Sequence, residues 1–402
     1  MDLARRVGVA LGEETKTKGA RCLLGPTMCC HRHPLGGRNF ESYSEDPFLA
    51  GKLAAQTVVG IESAGVSATL KHYAGNEQET QRLSVDEKIG QRALREIYLK
   101  PFEFAIKEGK PGAVMTAYNK INGEHCDSSE FLLTQILRKE WGWDGLTMTD
   151  WGGLNSTEQA LKAGLDLEMP GPSRWRKVDD VLAALKVGKV TESVINDRAL
   201  NVLRFLERQG CFEDPEIPAE RAVNKPEHQA LIREAGAKGM VLLKNEGDVL
   251  PLTKEKVKGK TIALLGYAKQ ALAHGGGSAA VNAHYTDTPF DGLTRAFEGS
   301  DVKLTYAKGK ATQLVFKTRH SVAKWLVNRC SHFPATSSNV RKRRRHGWEP
   351  RIYSFDLRSR LIGVQGRYSW SQNGQVHSYR IDRRHSHPHI QTLRSRRHIH
   401  AY

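Results

Sequence analysis

The 402-residue chain contains no apolar run long enough to cross a bilayer as a helix, so no membrane partner is expected. Its first residues, MDLARRVGVALGEE, lack the long apolar core and small-residue cleavage site of a signal peptide. They read as the middle of an amphipathic helix. Six cysteines (Cys22, Cys29, Cys30, Cys126, Cys211 and Cys330) form no disulfide framework and match no zinc spacing. The run CCHRH, Cys29 to His33, hints at a metal. Adjacent cysteines do not readily converge on one ion without other ligands, and no metal is expected. Three glycines, Gly275–Gly277, sit in a loop that could cradle a phosphate. Neither a GKS/GKT signature nor GxGxxG spacing follows, so no nucleotide or other cofactor is expected.

Acidic residues nearly vanish at one end. Between Thr312 and Tyr402 there are 19 Lys+Arg and 3 Asp+Glu, against 42 and 41 in the remainder. The formal charge of +17 therefore describes a nearly neutral body with a basic tail. A strongly basic chain suggests a nucleic-acid partner, and RKRRRHGWEP could serve as a binding arm or import signal. The tail, 312–402, also loses the apolar periodicity of a core and holds nine of the sixteen histidines. A shifted reading frame produces such an abrupt change. The expectation is a low-order tail and no nucleic-acid partner.

The body has ordinary globular composition. Short apolar runs alternate with helical patterns up to Arg208: RCLLGPT (Arg21–Thr27), GVSATLKHY (Gly65–Tyr73), GAVMTAYN (Gly112–Asn119) and GLTMTD (Gly145–Asp150). Helices are predicted over Phe48–Ser63, Ile89–Glu108, Phe131–Lys139, Ser156–Ala163, Val178–Leu185 and Thr191–Arg208. Asp127 with Glu130 three residues on reads as a capping-box start. Alternating strands and helices with short connections imply parallel pairing and right-handed crossovers. Both a doubly wound sheet and a (β/α)8 barrel fit. A linker, 211–228, precedes a predicted helix, Gln229–Gly239, and strands at Val241–Leu252 and Lys260–Ala268.

All four runs end in polar or charged groups, at Cys30–Arg38, Lys71-His72, Tyr118-Asn119 and Asp150-Trp151. In a barrel those ends share one rim. Cations and a histidine around a carboxylate suit a polyhydroxylated substrate, and an indole offers a face to a sugar ring. Nearby cations favour the ionised carboxylate that a nucleophile requires. Glycoside hydrolysis needs two carboxyl groups, of which Asp150 can be one. Singly, each residue has a plainer reading: Arg38 paired with Glu41 or Glu45, His72 as a core histidine, Tyr118 as a core aromatic.

Taken in order, HPLGGRNFESYSEDP, ATLKHYAGNEQET, VMTAYNKING, TDWGG and AGLDLEMPGP resemble the successive motifs of fungal β-glucosidases in glycoside hydrolase family 3. VLLKNEGDVLPL and the GGGSA loop resemble the start of that family's second domain. The resemblance runs from Met1 to about Lys310. It implies a TIM-type barrel over 1–210, incomplete because the family's first strand lies upstream, then the start of an α/β sandwich over 229–311. It also implies a retaining hydrolase that removes terminal β-D-glucose from β-glucosides such as cello-oligosaccharides. Asp150 would be the nucleophile, and Arg38, Lys71, His72, Tyr118 and Trp151 would hold the sugar.

KHYAGNEQETQRLSVDEK lacks the Ser-His of the family's N-acetylglucosaminidase branch. The acid/base would therefore be a second-domain glutamate, and Glu349 matches no family motif, so none is assigned. Two competing readings are a truncated, impaired or merely sugar-binding relative, and a nucleic-acid binder acting through the tail. Secretion is implied by fungal relatives, with a cytoplasmic location as the alternative. The sequon Asn155-Ser156-Thr157 permits glycosylation but lies close to Asp150.

Overall fold

The computed structural model describes residues 1–270, 275–309, 367–370 and 376–379, in two units, Met1–Lys317 and Thr318–Tyr402. The first helix, α1 (Asp2–Thr17), lies against α2 (Pro47–Ser63). They cross at backbone contact. A Cβ on Gly8 would stand 2.2 Å from the Thr57 carbonyl oxygen, and one on Gly60 2.2 Å from that of Arg5. Asp46 caps α2 by accepting the Phe48 N–H at 2.9 Å, and Pro47 opens the first turn.

Four strands, β1 (Cys22–Leu23), β2 (Ser67–Tyr73), β3 (Ala113–Thr116) and β4 (Leu146–Thr149), pair side by side in chain order, all parallel. A bridge from Met148 to Leu167 carries the sheet one position further. Helical segments at α2, at 91–109 and at Phe131–Glu140 connect them. The wider segments contain i+5 turns, as where the Leu99 N–H reaches the Leu94 carbonyl. Strands β3 and β4 are buried at every position, as a sheet covered on both faces requires.

Alternation along β3 divides the core. Val114 points to the helices, among Val58, Ile61, Leu70, Phe102, Leu133 and Ile136. Ala113 and Met115 point the other way, to join Leu146 and Met148 with Cys22, Leu24, Leu167 and Phe205. Phe205 comes from the helix Glu192–Arg208, so helical residues cover this face too and the parallel sheet is buried on both sides.

The helices Glu158–Ala163, Val178–Lys186 and Glu192–Arg208 follow β4. Between the first two, fully buried Asp166 gathers Arg138 Nη2 at 2.9 Å, Arg198 Nη1 at 3.3 Å, Asn201 Nδ2 at 2.9 Å and Thr147 Oγ1 at 2.8 Å. The helix Pro226–Gly239 starts three residues inside the expected linker and is tied to α1. Arg6 Nη2 meets Glu234 at 2.7 Å, and His228 Nδ1 lies 2.8 Å from Glu14. One further β-α-β unit follows. Thr261–Leu265 pairs in parallel with Lys303–Ala307 across the helix Pro289–Ala296, which Thr288 and Asp291 close with a capping box.

Two expectations are corrected. Val241–Leu252 is not a strand. Gly247 and Asp248 both take positive φ, a short turn at Glu246–Asp248 breaks the run, and Leu243 stays 92% exposed. Nor does Asp127 cap the helix at Phe131–Glu140, because its carboxylate is engaged by Asn155 instead.

In the second unit Arg367–Trp370 pairs antiparallel with Val376–Tyr379. The low order expected of the tail, and Glu349, otherwise concern positions outside the described residues.

Candidate functional site

Because the four strands run parallel, their C-terminal ends lie on one rim, where chemistry collects in barrels. Asp150 directly follows β4. Its side chain is 13% exposed. The turn that carries it is held by its own atoms and by its neighbours. The Trp151 N–H donates to Asp150 Oδ1 at 2.6 Å and the Gly153 N–H to the Asp150 carbonyl at 2.9 Å. From the next segment, the Met169 carbonyl accepts the Gly152 N–H at 2.8 Å. From the end of β3, the Tyr118 hydroxyl donates to the Trp151 carbonyl at 2.9 Å. Burial and the Asp150 carboxylate both raise the Tyr118 pKa, so the phenol stays protonated and acts as a donor.

His72, near the end of β2, is buried, with Nε2 3.4 Å from Asp150 Oδ2 and 3.2 Å from Arg38 Nη1. Burial drives its pKa well below the ordinary histidine value, and Arg38 and Lys71 push the same way. The ring is therefore neutral and forms no ion pair with Asp150. A guanidinium can only donate, so a bond from Arg38 to Nε2 requires the tautomer with its proton on Nδ1, whereas a proton on Nε2 would face Asp150 Oδ2. Nδ1 is buried without a hydrogen-bond partner.

Arg38 is fixed by a short contact from Nε to Glu41, whose other oxygen accepts the Thr27 hydroxyl at 2.7 Å. Burial works against the Arg38 charge, but Glu41, Glu79 and Asp150 outweigh it and raise its pKa. Lys71 is half-buried beside Glu41 and Asp150. Desolvation lowers its pKa, with Glu41 and Asp150 opposing. Trp151 stands 46% exposed at the mouth.

The structure thus gathers Arg38, Lys71, His72, Tyr118, Asp150 and Trp151 on one rim, and the foreseen pairing of Arg38 with Glu41 forms as well. Sequence reasoning missed Arg82. Its guanidinium lies 4.8 Å from the Tyr118 ring centroid and pairs with Glu79 at 2.7 Å. Nothing in QETQRLS marks it, because the loop's fold alone returns it to the site. The CCHRH cysteines are packing residues. Cys29 Sγ meets the His72 carbonyl at 3.4 Å, and burial pushes the Cys30 thiol up to about 12.

Residues 1–205 match the glycosyl hydrolase family 3 N-terminal domain and 240–349 its C-terminal domain. The chain belongs to glycosyl hydrolase family 3. The second match runs past the described residues. Beta-glucosidase B of Emericella nidulans is 65% identical over 312 residues, 78% of this chain but 37% of that protein. Probable beta-glucosidase I of Aspergillus oryzae is 48% identical over 299 residues, 74% of this chain and 35% of that one.

Among solved structures, the Kluyveromyces marxianus beta-glucosidase in complex with glucose aligns with TM-score 0.71 at 42% identity, over 76% of this chain and 37% of that one. Thermotoga neapolitana beta-glucosidase 3B in complex with glucose aligns with TM-score 0.67 at 38% identity, over 83% and 44%. The chain spans less than half the length of these relatives. Their fold, a TIM-type barrel followed by an α/β sandwich, is the one to which the two α/β parts of this chain correspond.

Proposed function

We propose that this chain carries the nucleophile half of a retaining β-glucosidase site, acting on the terminal non-reducing β-D-glucose of small β-glucosides. The observation that carries this reading is Asp150, a mostly buried carboxylate at the strand-end rim, beside a neutral His72 that Arg38 orients. A sugar hydroxyl can donate to one group and accept from another, and this rim offers both kinds. Arg38 and Lys71 donate, Asp150 accepts, and Trp151 presents an apolar face to the ring.

In the step assigned here, an Asp150 oxygen attacks the anomeric carbon. The bond from that carbon to the leaving oxygen breaks, and its electron pair departs with the aglycone. The product is a glucosyl ester on Asp150, which water then hydrolyses. The likeness to β-glucosidases, including glucose-bound ones, supports glucose as the sugar. Cello-oligosaccharides released in cellulose breakdown outside the cell fit the same reading. The proton for the departing oxygen is assigned to no residue here. At the rim, Glu41 and Glu79 are already paired with arginines.

The test is reaction with 2,4-dinitrophenyl 2-deoxy-2-fluoro-β-D-glucopyranoside, whose leaving group needs no proton. A single 2-deoxy-2-fluoroglucosyl adduct on the peptide carrying Asp150, lost in Asp150→Asn, is expected. Sugar binding without an adduct would support a sugar-binding relative instead.

A further inference from the structure

Behind the Asp150 turn lies a polar contact that the chemistry above does not use. Asp127 is fully buried, on a short turn at Cys126–Ser128. A buried carboxylate is costly unless each oxygen finds donors, and the donors here come mainly from the segment that follows the nucleophile. Asp127 Oδ2 accepts the Asn155 backbone N–H at 3.0 Å, and Oδ1 accepts Asn155 Nδ2 at 3.0 Å. The second hydrogen of Asn155 Nδ2 goes to the Gly153 carbonyl at 2.8 Å. Gly153 in turn donates its N–H to the carbonyl of Asp150. The chain of bonds therefore runs Asp127, Asn155, Gly153, Asp150 without a gap. A second tie joins the same two turns, with Ser128 Oγ 3.0 Å from Ser156 Oγ, while Ser128 also donates to Asp127 at 2.9 Å.

We infer that Asp127 and Asn155 form a clamp that sets the position of the Asp150–Gly153 turn, and so of the proposed nucleophile. Neither residue is among those placed at the sugar, so both are positioning residues. The turn has other supports at Tyr118 and Met169, but these hold Trp151 and Gly152. The clamp supplies a hydrogen bond to Gly153, whose own N–H fixes the carbonyl of Asp150, beside the Tyr118 ring, which a Cβ on Gly153 would approach to 3.2 Å. An in-line attack tolerates little displacement, and misplacement by about 1 Å costs roughly 10²-fold in rate. Asparagine at 127 would turn an amide N–H toward one of the Asn155 donors and break one arm of the clamp.

This inference rests on the proposed nucleophile for its kinetic test and on geometry alone for its second test. In the full chain, inactivation by the fluoroglucoside above is measured for the parent, Asp127→Asn and Asn155→Ala. Expected are first-order inactivation rates about 10- to 100-fold lower in both variants, with half-saturating concentrations changed less than about threefold. A purely structural role would lower thermal stability and leave the rate of the folded fraction unchanged, which would overturn the proposal.

Amide hydrogen exchange of 150–155 is measured in parallel. The clamp predicts at least about tenfold faster exchange there in either variant, with 113–116 unchanged. Unchanged exchange at 150–155 overturns the clamp even if Asp150 takes no label. Absence of label in the parent, with faster exchange in the variants, instead refutes the nucleophile reading and leaves the clamp standing. Should Asp127→Asn fail to fold, Asn155→Ala, which removes only the side-chain arms, decides alone.

Discussion

Arg38 Nη1 lies 3.2 Å from His72 Nε2, so the guanidinium orients a buried ring that also meets Asp150 at 3.4 Å. Burial keeps this histidine, beside Asp150, neutral. Neutrality also has a signature in stability. Its folded pKa lies well below the unfolded value of about 6.5. The unfolded chain therefore binds the extra proton first, and stability falls as pH drops below about 6.5. His72→Gln should flatten the fall in thermal midpoint between pH 7 and pH 5. An unchanged slope would mean that the ring charges in the folded state.

A half-buried carboxyl pair, Glu77 and Glu87, predicts the opposite slope. Burial first, then Glu87, raises Glu77 to about 8, and burial raises Glu87 to about 7. One oxygen of each is buried without a hydrogen-bond partner. The folded state holds protons there that the unfolded chain releases above its carboxyl value near 4.5. Their contribution is greatest at or below that pH and declines through pH 7–8. Glu77→Gln should raise the thermal midpoint at pH 8 relative to pH 5, compared with the parent chain.

Asp166 is the keystone beside β4. Asp166→Ala would leave Arg138 and Arg198 with uncompensated charge in a buried site, a class of change that costs about 3–5 kcal/mol. Chemical denaturation of the full chain should show that loss. A cost below about 1 kcal/mol would mean that water or relaxation replaces the carboxylate.

At the α1–α2 crossing, Gly60→Ala should destabilise by about 1–3 kcal/mol or more, since the added methyl meets the Arg5 backbone rather than a yielding side chain. The same denaturation experiment measures it.

Asn155 begins a sequon, yet both hydrogens of its side-chain amide are engaged. A folded chain made in a secretory host should carry no glycan at Asn155, as peptide mass spectrometry would reveal. Full occupancy in folded, label-competent protein would contradict the clamp.

Much of this was legible because parallel strands and their helices announce themselves by period. The four runs became β1 to β4, and the endings Lys71-His72, Tyr118 and Asp150-Trp151 met on one rim because parallel strands finish on one side. Legibility failed where tertiary partners decide. Asp127 had the spacing of a cap, but buried donors on Asn155, 28 residues on, outcompeted the local helix end. Val241–Leu252 had strand composition, but a turn with two positive-φ residues interrupts it. Arg82 reaches Tyr118 only through the course of its loop, which no periodicity encodes.

The most direct test of Asp150 as the nucleophile is mass spectrometry of the full chain after exposure to the dinitrophenyl 2-fluoroglucoside. One fluoroglucosyl ester is expected, located on Asp150 and absent from Asp150→Asn. A labelled residue other than Asp150, or saturable glucose binding with no ester formed, would contradict it.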